Sequence, residues 1–180
     1  LRDANVRATF FIVGQWAEKY PEAVKRIAEE GHDIGNHSYS HLRMGVLGRD
    51  KISSEIEKCN EVLEKLTNKK CELFRAPYGD YNNAVLSEAR KNGCFTIQWN
   101  VDSLDWKELG VQHMYDRVTK KVRNGSIVLF HNNAKYITQA LPSILDYLLA
   151  EGYSIVPVSE LIYKENYRID HTGRQIPVEN

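Results

Sequence analysis

Residues Ala8–His41 have the sequence ATFFIVGQWAEKYPEAVKRIAEEGHDIGNHSYSH, which is typical of a strand–helix–strand unit followed by a loop. The segment Ala8–Val13 is rich in aromatic and β-branched residues and predicts a buried strand. Apolar residues then recur at helical spacing over Gln15–Glu30, and Pro21 inside that segment predicts a break. A second short strand is predicted at Asp33–Asn36, and it leads into a loop that carries two histidines.

The rest of the chain continues this alternation of short apolar strands and amphipathic helices. The further predicted helices are Asp50–Leu66, Asn82–Asn92, Val111–Val122, Gln139–Ala150 and Glu160–Tyr163. The further predicted strands are Glu72–Arg75, Phe95–Val101, Ser126–Phe130 and Tyr153–Val158. Strands that alternate with helices indicate parallel βα units, so we predict an α/β fold with about six strands. We expect one domain over residues 1–163 and an irregular, polar C-terminal tail over residues 164–180.

Composition and charge argue against two classes of protein. The chain has 180 residues and a mass of 20.7 kDa, which is the size of one domain. Its 24 Lys and Arg residues balance 24 Asp and Glu residues, so no positive field is available to hold nucleic acid or an anionic membrane. The apolar runs are far shorter than the roughly 20 residues that a membrane span requires. We expect a monomer with no nucleic-acid partner and no membrane-spanning segment.

The three cysteines give no functional signal. Cys59, Cys71 and Cys94 are an odd number and form no C-x-x-C pair, so they indicate neither a zinc ribbon nor a redox motif. We predict three buried thiols, because a free cysteine behaves as a small hydrophobic residue.

Polar side chains that could carry chemistry follow the ends of the predicted strands. His37 and His41 follow one of them, and their spacing would place both imidazoles on one face of a helical turn, close enough to bind one metal ion. The alternative is a pair of surface or hydrogen-bonded histidines. In a closed or nearly closed (β/α) barrel, such strand ends lie on the face where a site is built.

Three further strand ends carry candidate groups. Arg75 could hold a carboxylate through two hydrogen bonds, or it could lie in a surface ion pair beside an ordinary turn. Asp102 and Asp105 are two carboxylates beside Trp106, and the alternative is a solvated acidic turn with the tryptophan in the core. His131 could be a satisfied core histidine, or a catalytic acid that a carboxylate orients.

Taken in order, these motifs resemble those of the carbohydrate esterase family 4 polysaccharide deacetylases, which have the NodB homology fold. The matching segments are His37–His41 (HSYSH), Arg75–Tyr78 (RAPY), Asp102–Trp106 (DSLDW) and Leu129–His131 (LFH). The resemblance covers about Val6–Leu161. It implies a distorted (β/α)7-type barrel of the NodB kind, with the first strand missing from this chain.

The resemblance also implies a divalent metal, zinc first and cobalt as the alternative, held by one Asp and two His. His37 and His41 match the two histidine ligands. The third ligand and the general base belong to an Asp-Asp motif on the family's first strand, and this sequence does not contain that motif. We therefore expect the motif upstream of Leu1, which no initiator Met precedes.

The remaining motif residues match defined roles in the family. Arg75 matches the residue that orients the base, and the backbone N–H of Tyr78 matches a donor to the oxyanion. His131 matches the acid that protonates the leaving amine, and Asp105 matches the carboxylate that holds its ring. The substrate-binding positions are matched by Pro77, Trp106 and Leu129. The last two imply a small apolar pocket for the acetyl methyl group.

The function that the resemblance implies is metal-assisted hydrolysis of N-acetyl groups on N-acetylglucosamine-type residues of a polysaccharide, with release of acetate. Peptidoglycan, chitin and acetylated xylan are substrates within the family. An extracellular or cell-envelope location is expected, with any signal or anchor upstream of Leu1. One alternative is a catalytically inactive carbohydrate-binding domain of the same fold, in which Trp99 and Tyr81 stack on sugars with other aromatic residues. Another is an unrelated metallohydrolase or metal-storage protein that uses His37 and His41.

Overall fold

The computed structural model describes residues 1–178, which form two compact units. The larger unit contains Ala8–Gln98 and the residues from Ile162 onward, and the smaller unit contains Leu1–Arg7 and Trp99–Leu161. Each unit has parallel strands and its own apolar core. Within the described residues, no helix is both long enough and apolar enough to cross a membrane.

A four-stranded parallel sheet organises the larger unit, with the strands in sequence order. They are β1 (Thr9–Ile12), β2 (Asp33–Asn36), β3 (Leu73–Phe74) and β4 (Phe95–Thr96). Because the strands are parallel, their carboxyl ends meet at one edge of the sheet. The register pairs Asn36 with Phe74. The residues that follow this pair, His37 and Arg75, therefore leave the sheet side by side.

Helices connect these strands. They are α1 (Gly14–Lys19), α2 (Pro21–Glu29), α3 (Arg49–Thr67) and α4 (Asn83–Lys91). Pro21 is the first residue of α2, where its missing N–H costs nothing, and this confirms the predicted break. The buried apolar residues of α3 recur every three or four positions, as an amphipathic helix requires. They are Ile52, Ile56, Cys59 and Leu63.

The smaller unit has one pair of parallel strands, β5 (Val101–Asp102) and β6 (Val128–Leu129). Its helices are α5 (Val111–Thr119), α6 (Ile137–Ala150) and α7 (Val158–Leu161). Apolar side chains of α5 and α6 share one core. The register pairs Asp102 with Leu129, so the loops that carry Asp105 and His131 begin at the same end of the strand pair.

Two predicted strands differ from the observed ones. The segment Phe95–Val101 is divided, because its first residues pair with β3 in the larger unit whereas Val101 pairs with β6 in the smaller one. The segment Tyr153–Val158 is not a strand in the part of the chain that the structure describes. Side chains such as Ile155 pack against the core of the smaller unit, so its apolar pattern reflects burial and not strand pairing.

The C-terminal tail is more ordered than predicted. Two strands, β7 (Tyr167–Ile169) and β8 (Gln175–Pro177), form an antiparallel hairpin. The Asp170 side chain closes the turn by accepting hydrogen bonds from the backbone N–H groups of Thr172 and Arg174. The prediction of an irregular tail is therefore wrong for these residues, and the boundary between residues 163 and 164 stays a prediction.

The three cysteines are buried free thiols, as predicted. Burial raises the pKa of the Cys59 thiol to about 12. It also raises the pKa values of Cys71 and Cys94. Because a thiol reacts as its thiolate, all three are inert core residues at neutral pH.

Candidate functional site

The first candidate ligand, His37, follows β2 directly and is oriented by the neighbouring strand. Its Nδ1 lies 2.8 Å from the backbone oxygen of Arg75. A carbonyl oxygen can only accept a hydrogen bond, so Nδ1 carries the ring proton and Nε2 carries the lone pair of the neutral ring. Histidines that bind metals in proteins are commonly held in this way through the other ring nitrogen.

The second histidine, His41, lies in a loop and not in a helical turn, which corrects the prediction from its spacing. Ser38 and His41 both have left-handed backbones, with φ values of 62° and 57°, and a right-handed turn cannot contain them. Asn36 Oδ1 accepts a hydrogen bond of 2.8 Å from the Ser38 N–H, and Ser38 Oγ accepts one of 2.9 Å from the His41 N–H. These bonds fold the loop so that the centres of the His37 and His41 rings are 4.9 Å apart.

The carboxylate of Glu55, on α3, also holds this loop. Glu55 is 1% exposed, and it accepts hydrogen bonds from the Ser40 backbone N–H at 2.8 Å and the Ser40 hydroxyl at 2.9 Å. Lys51 Nζ lies 2.8 Å from the same carboxylate. Burial alone would raise the pKa of Glu55, but the bonds from Lys51 and Ser40 outweigh it and lower that pKa. The sequence analysis missed this residue, although a Glu beside Ile56 on the apolar face of α3 was a visible signal.

Arg75 is buried, which excludes its position in a surface ion pair. It is 7% exposed, its guanidinium carbon lies 4.1 Å from the centre of the Phe11 ring, and its Nε donates to the backbone oxygen of Ile97 at 3.3 Å. Burial lowers the pKa of Arg75 to about 10, so the guanidinium is charged at neutral pH. The predicted role of orienting a carboxylate base stays a prediction.

Tyr78 lies in a tight turn beside the histidine pair. The turn spans Pro77–Gly79, and Tyr78 has a left-handed backbone with a φ of 61°. Such a conformation is strained for a bulky residue and is found most often where a site requires it. The Tyr78 ring is 58% exposed and its centre lies 4.8 Å from that of His41. Pro77 is buried and shapes the turn, and its predicted contact with substrate stays a prediction.

In the smaller unit, the structure brings Asp105 and His131 into direct contact. Asp105 Oδ1 lies 2.7 Å from His131 Nδ1, and Asp105 Oδ2 accepts a hydrogen bond from the His131 backbone N–H. The Asp105 side chain is fully buried, whereas that of His131 is 43% exposed. Burial alone would raise the pKa of Asp105, but the bonds from His131 outweigh it and lower that pKa. An ionised Asp105 can only accept, so His131 carries a proton on Nδ1 and presents Nε2.

A pocket of about 310 Å³ lies beside this pair. Its lining residues are Asp105, Trp106, Glu108, His131, Asn133, Ala134 and Lys135. Trp106 is 57% exposed, which excludes the alternative that it lies in the core. Leu129 is buried in β6, and its predicted place with Trp106 in a small apolar pocket for the acetyl methyl group stays a prediction.

The predicted residues therefore fall into two clusters, each within one unit. The histidine cluster of the larger unit is His37, His41, Arg75 and Tyr78, and the acid cluster of the smaller unit is Asp105, Trp106 and His131. The oriented His37 ring and its contact with His41 fit a divalent metal. Across residues 1–178, however, no three His, Cys, Asp or Glu side chains are grouped to hold an ion. The histidine pair fits part of a metal site, and the described residues supply no third ligand.

Comparison with known proteins gives one family match. The model of the polysaccharide deacetylase family matches residues 1–97. The peptidoglycan-N-acetylmuramic acid deacetylase PdaA of Bacillus subtilis is 32% identical over 173 residues, which are 94% of this chain and 66% of PdaA. The chain spans 50% to 66% of the length of three such curated relatives.

Solved structures of the same family are similar over most of the chain. The Bc1960 peptidoglycan N-acetylglucosamine deacetylase has a TM-score of 0.87 and 34% identity, covering 90% of this chain and 78% of that protein. BA3943 of Bacillus anthracis, described as a carbohydrate esterase family 4 pseudoenzyme, has a TM-score of 0.86 and 34% identity, covering 89% of this chain and 59% of that protein. A mutant of BA3943 is described as having restored enzymatic activity. These likenesses identify the fold as the NodB-type α/β fold that the motifs implied.

Proposed function

Because the chain belongs to the polysaccharide deacetylases of carbohydrate esterase family 4, we propose that it removes N-acetyl groups from a peptidoglycan-type glycan and releases acetate. The observation that carries this proposal is the Asp105–His131 pair, a buried carboxylate bonded to a half-exposed imidazole. Hydrolysis of an amide requires protonation of the leaving amine, because an unprotonated amine is a poor leaving group. An imidazole held by a carboxylate is suited to that step.

The proposed order of proton transfer follows from the bonds of His131. Its Nδ1 proton points to Asp105, so the proton that leaves is carried on Nε2 of the imidazolium. The negative charge of Asp105 stabilises this cation before the transfer. After the transfer, the neutral ring keeps its orientation because the bond through Nδ1 remains. Asp105 thus acts by positioning and charging the ring, and it does not itself transfer the proton.

We propose that His37 and His41 hold a divalent metal, zinc first and cobalt as the alternative, through ring nitrogens that include His37 Nε2. Residues 1–178 group no third His, Cys, Asp or Glu with this pair. When bound, such a metal lowers the pKa of a coordinated water and polarises the amide carbonyl. The remaining proposed roles are those of the family: Arg75 orients the base and the Tyr78 N–H donates to the oxyanion. Trp106, Pro77 and Leu129 contact the substrate.

The proposed substrate is the glycan of peptidoglycan, because the relatives with named activities act on it. Chitin-like oligomers are the alternative substrate. An enzyme that acts on peptidoglycan works outside the cytoplasm, so we propose an extracellular or cell-envelope location. We also propose that the protein acts as a monomer.

A second function, binding of the glycan without hydrolysis, is favoured by two observations. Residues 1–178 contain no complete group of three metal ligands, and the similar BA3943 is described as a pseudoenzyme. Exposed aromatic rings such as Tyr78 and Trp106 are suited to stack on sugars.

The experiment that separates the two functions is an acetate-release assay on peptidoglycan glycan strands and on N-acetylglucosamine oligomers. The protein that contains this chain is assayed as purified, after chelation, and after addition of zinc or cobalt. The deacetylase proposal predicts release that chelation abolishes and metal restores. Calorimetric binding of the same strands without any release would instead support the binding function.

A further inference from the structure

A short series of side-chain contacts continues outward from the histidine pair and ends in a stack of Arg43 on Tyr78. The Tyr78 ring contacts His41, and the guanidinium carbon of Arg43 lies 4.7 Å from the centre of the same Tyr78 ring. Arg43 and Tyr78 are both exposed. A guanidinium is attracted to the face of an aromatic ring and keeps its N–H groups in its own plane, where they can donate. The stack therefore places a donor-rich cation beside the proposed metal ligands.

The loop that carries Arg43 is tied to the turn that carries Tyr78. The Gly45 N–H donates to Asp80 Oδ2 at 3.2 Å, and Asn82 Nδ2 donates to the Gly45 oxygen at 2.9 Å. Both contacts join the residues just after Arg43 to those just after Tyr78. Less ordering entropy is lost on binding when a site is already fixed, so this arrangement suits a preformed subsite.

The charge of Arg43 is not neutralised by an acidic side chain within the part of the chain described. Its contact is the Tyr78 ring, and no carboxylate among residues 1–178 forms an ion pair with it. A preorganised guanidinium of this kind is suited to a planar anion with two oxygens. N-acetylmuramic acid from which the peptide has been removed carries such an anion: its lactyl group is an ether on the ring carbon next to the one that bears the N-acetyl group, and its carboxylate is free. N-acetylglucosamine carries none.

We propose that Arg43 determines specificity by binding the lactyl carboxylate of an N-acetylmuramic acid residue, with the Arg43–Tyr78 stack as the subsite. This inference rests on the proposed deacetylase function and deepens it, because it selects among the glycans. Peptide-free glycan strands that contain N-acetylmuramic acid are preferred over N-acetylglucosamine oligomers for the same reason. Methyl esterification of the carboxylate removes the preference.

The test compares KM and kcat for acetate release from peptide-free peptidoglycan strands and from N-acetylglucosamine oligomers of equal length. The variants are Arg43→Gln, Arg43→Lys and, as a matched control, Arg90→Gln at an exposed position of α4. Arg43→Gln is expected to raise KM for the muramic strands about tenfold relative to the oligomers, the size of a charge-assisted hydrogen bond. Arg43→Lys gives a smaller change, because lysine keeps the charge but not the planar fork. Arg90→Gln keeps the wild-type ratio.

Two other kinetic outcomes would count against the proposals. An equal change in KM for both substrates, or a change for neither, would overturn the carboxylate subsite. If the wild-type protein releases acetate from neither substrate, the deacetylase proposal fails, and the subsite is then tested by calorimetric binding of the same two glycans. If Arg43→Gln weakens binding of the muramic strands but not of the oligomers, the binding data support the subsite. If the wild type and Arg43→Gln bind the muramic strands equally well, the subsite is refuted.

Discussion

Two histidines, one in each unit, are held in the same manner. His37 Nδ1 is bonded to a backbone carbonyl and His131 Nδ1 to a buried carboxylate, so each ring presents Nε2. The group that accepts the Nδ1 hydrogen bond determines the chemistry to which each ring is suited. The carbonyl that accepts the Nδ1 proton leaves Nε2 as the His37 nitrogen that could bind a metal ion, whereas the negative charge of Asp105 suits His131 to the proposed role of an acid.

The proposed acid role of His131 predicts a specific pattern of kinetic losses. His131→Ala is expected to lower kcat about a hundredfold or more while bound zinc is retained. Asp105→Asn should cause most of the same loss in kcat. The double variant should lose no more kcat than His131→Ala alone, because the two residues act as a unit. The assay is acetate release with zinc content measured in parallel, and His171→Ala at an exposed position of the hairpin is the control. Near-full kcat in His131→Ala would contradict the role.

The lowered pKa of Asp105 predicts how its contribution to stability depends on pH. A carboxylate with a depressed folded-state pKa stabilises the fold fully above its unfolded value, about 3.9, and loses this contribution as the pH falls through the folded value. The difference in unfolding free energy between the wild type and Asp105→Asn should therefore shrink as the pH is lowered from about 4. Urea denaturation at a series of pH values measures it. A difference that does not depend on pH in this range would refute the account.

At the scale of elements, the histidine loop depends on α3 as much as on β2. The loop contains two left-handed residues, Ser38 and His41, and such conformations persist only when the surroundings fix them. Glu55 accepts hydrogen bonds from the backbone N–H and the hydroxyl of Ser40, which lies between these two residues. The helix thus fixes a loop that has little regular structure of its own.

Removal of the Glu55 carboxylate should loosen the loop and with it the proposed metal ligands. Glu55→Ala leaves the Ser40 N–H without its acceptor, at a cost of about 1–3 kcal/mol in the free energy of unfolding. We expect weaker zinc binding as well, measured by competition with a chelating dye well below the unfolding temperature. Glu57→Gln, at an exposed position of the same helix, is the matched control and should change neither quantity. Lower stability with unchanged zinc affinity would limit Glu55 to a purely structural role.

The sequence predicted elements well where local chemistry decides them. The break at Pro21 and the long helix α3 follow from the proline ring and from apolar periodicity, and both are observed. The predictions that differ from the structure depended on strand pairing between distant parts of the chain. The segment Phe95–Val101 is one apolar run, but its two ends pair with strands of different units.

The same distinction applies to the candidate site. Position at the strand ends identified the histidines and Asp105 as candidates, and the family resemblance implied that Asp105 holds the His131 ring. Motif spacing gave the wrong conformation for the loop of His41, since spacing alone does not reveal left-handed residues. Glu55 and Arg43 were not identified, because their importance comes from contacts with distant parts of the chain.

For the molecule as a whole, the fold alone does not determine activity. Solved structures similar to this chain include a named deacetylase and a pseudoenzyme, with nearly equal TM-scores. The difference between such proteins must lie in the residues of the site. In this chain, the acid cluster is formed within one unit, and two histidines in the other offer part of a metal site.

We propose that acetate release depends on a metal held by His37 and His41. The most direct measurement is acetate release together with bound zinc for the protein that contains this chain, as wild type and as His37→Ala. We predict about one zinc per wild-type chain, and loss of both zinc and activity in His37→Ala. Full acetate release by His37→Ala, or by the wild type freed of metal, would contradict the claim.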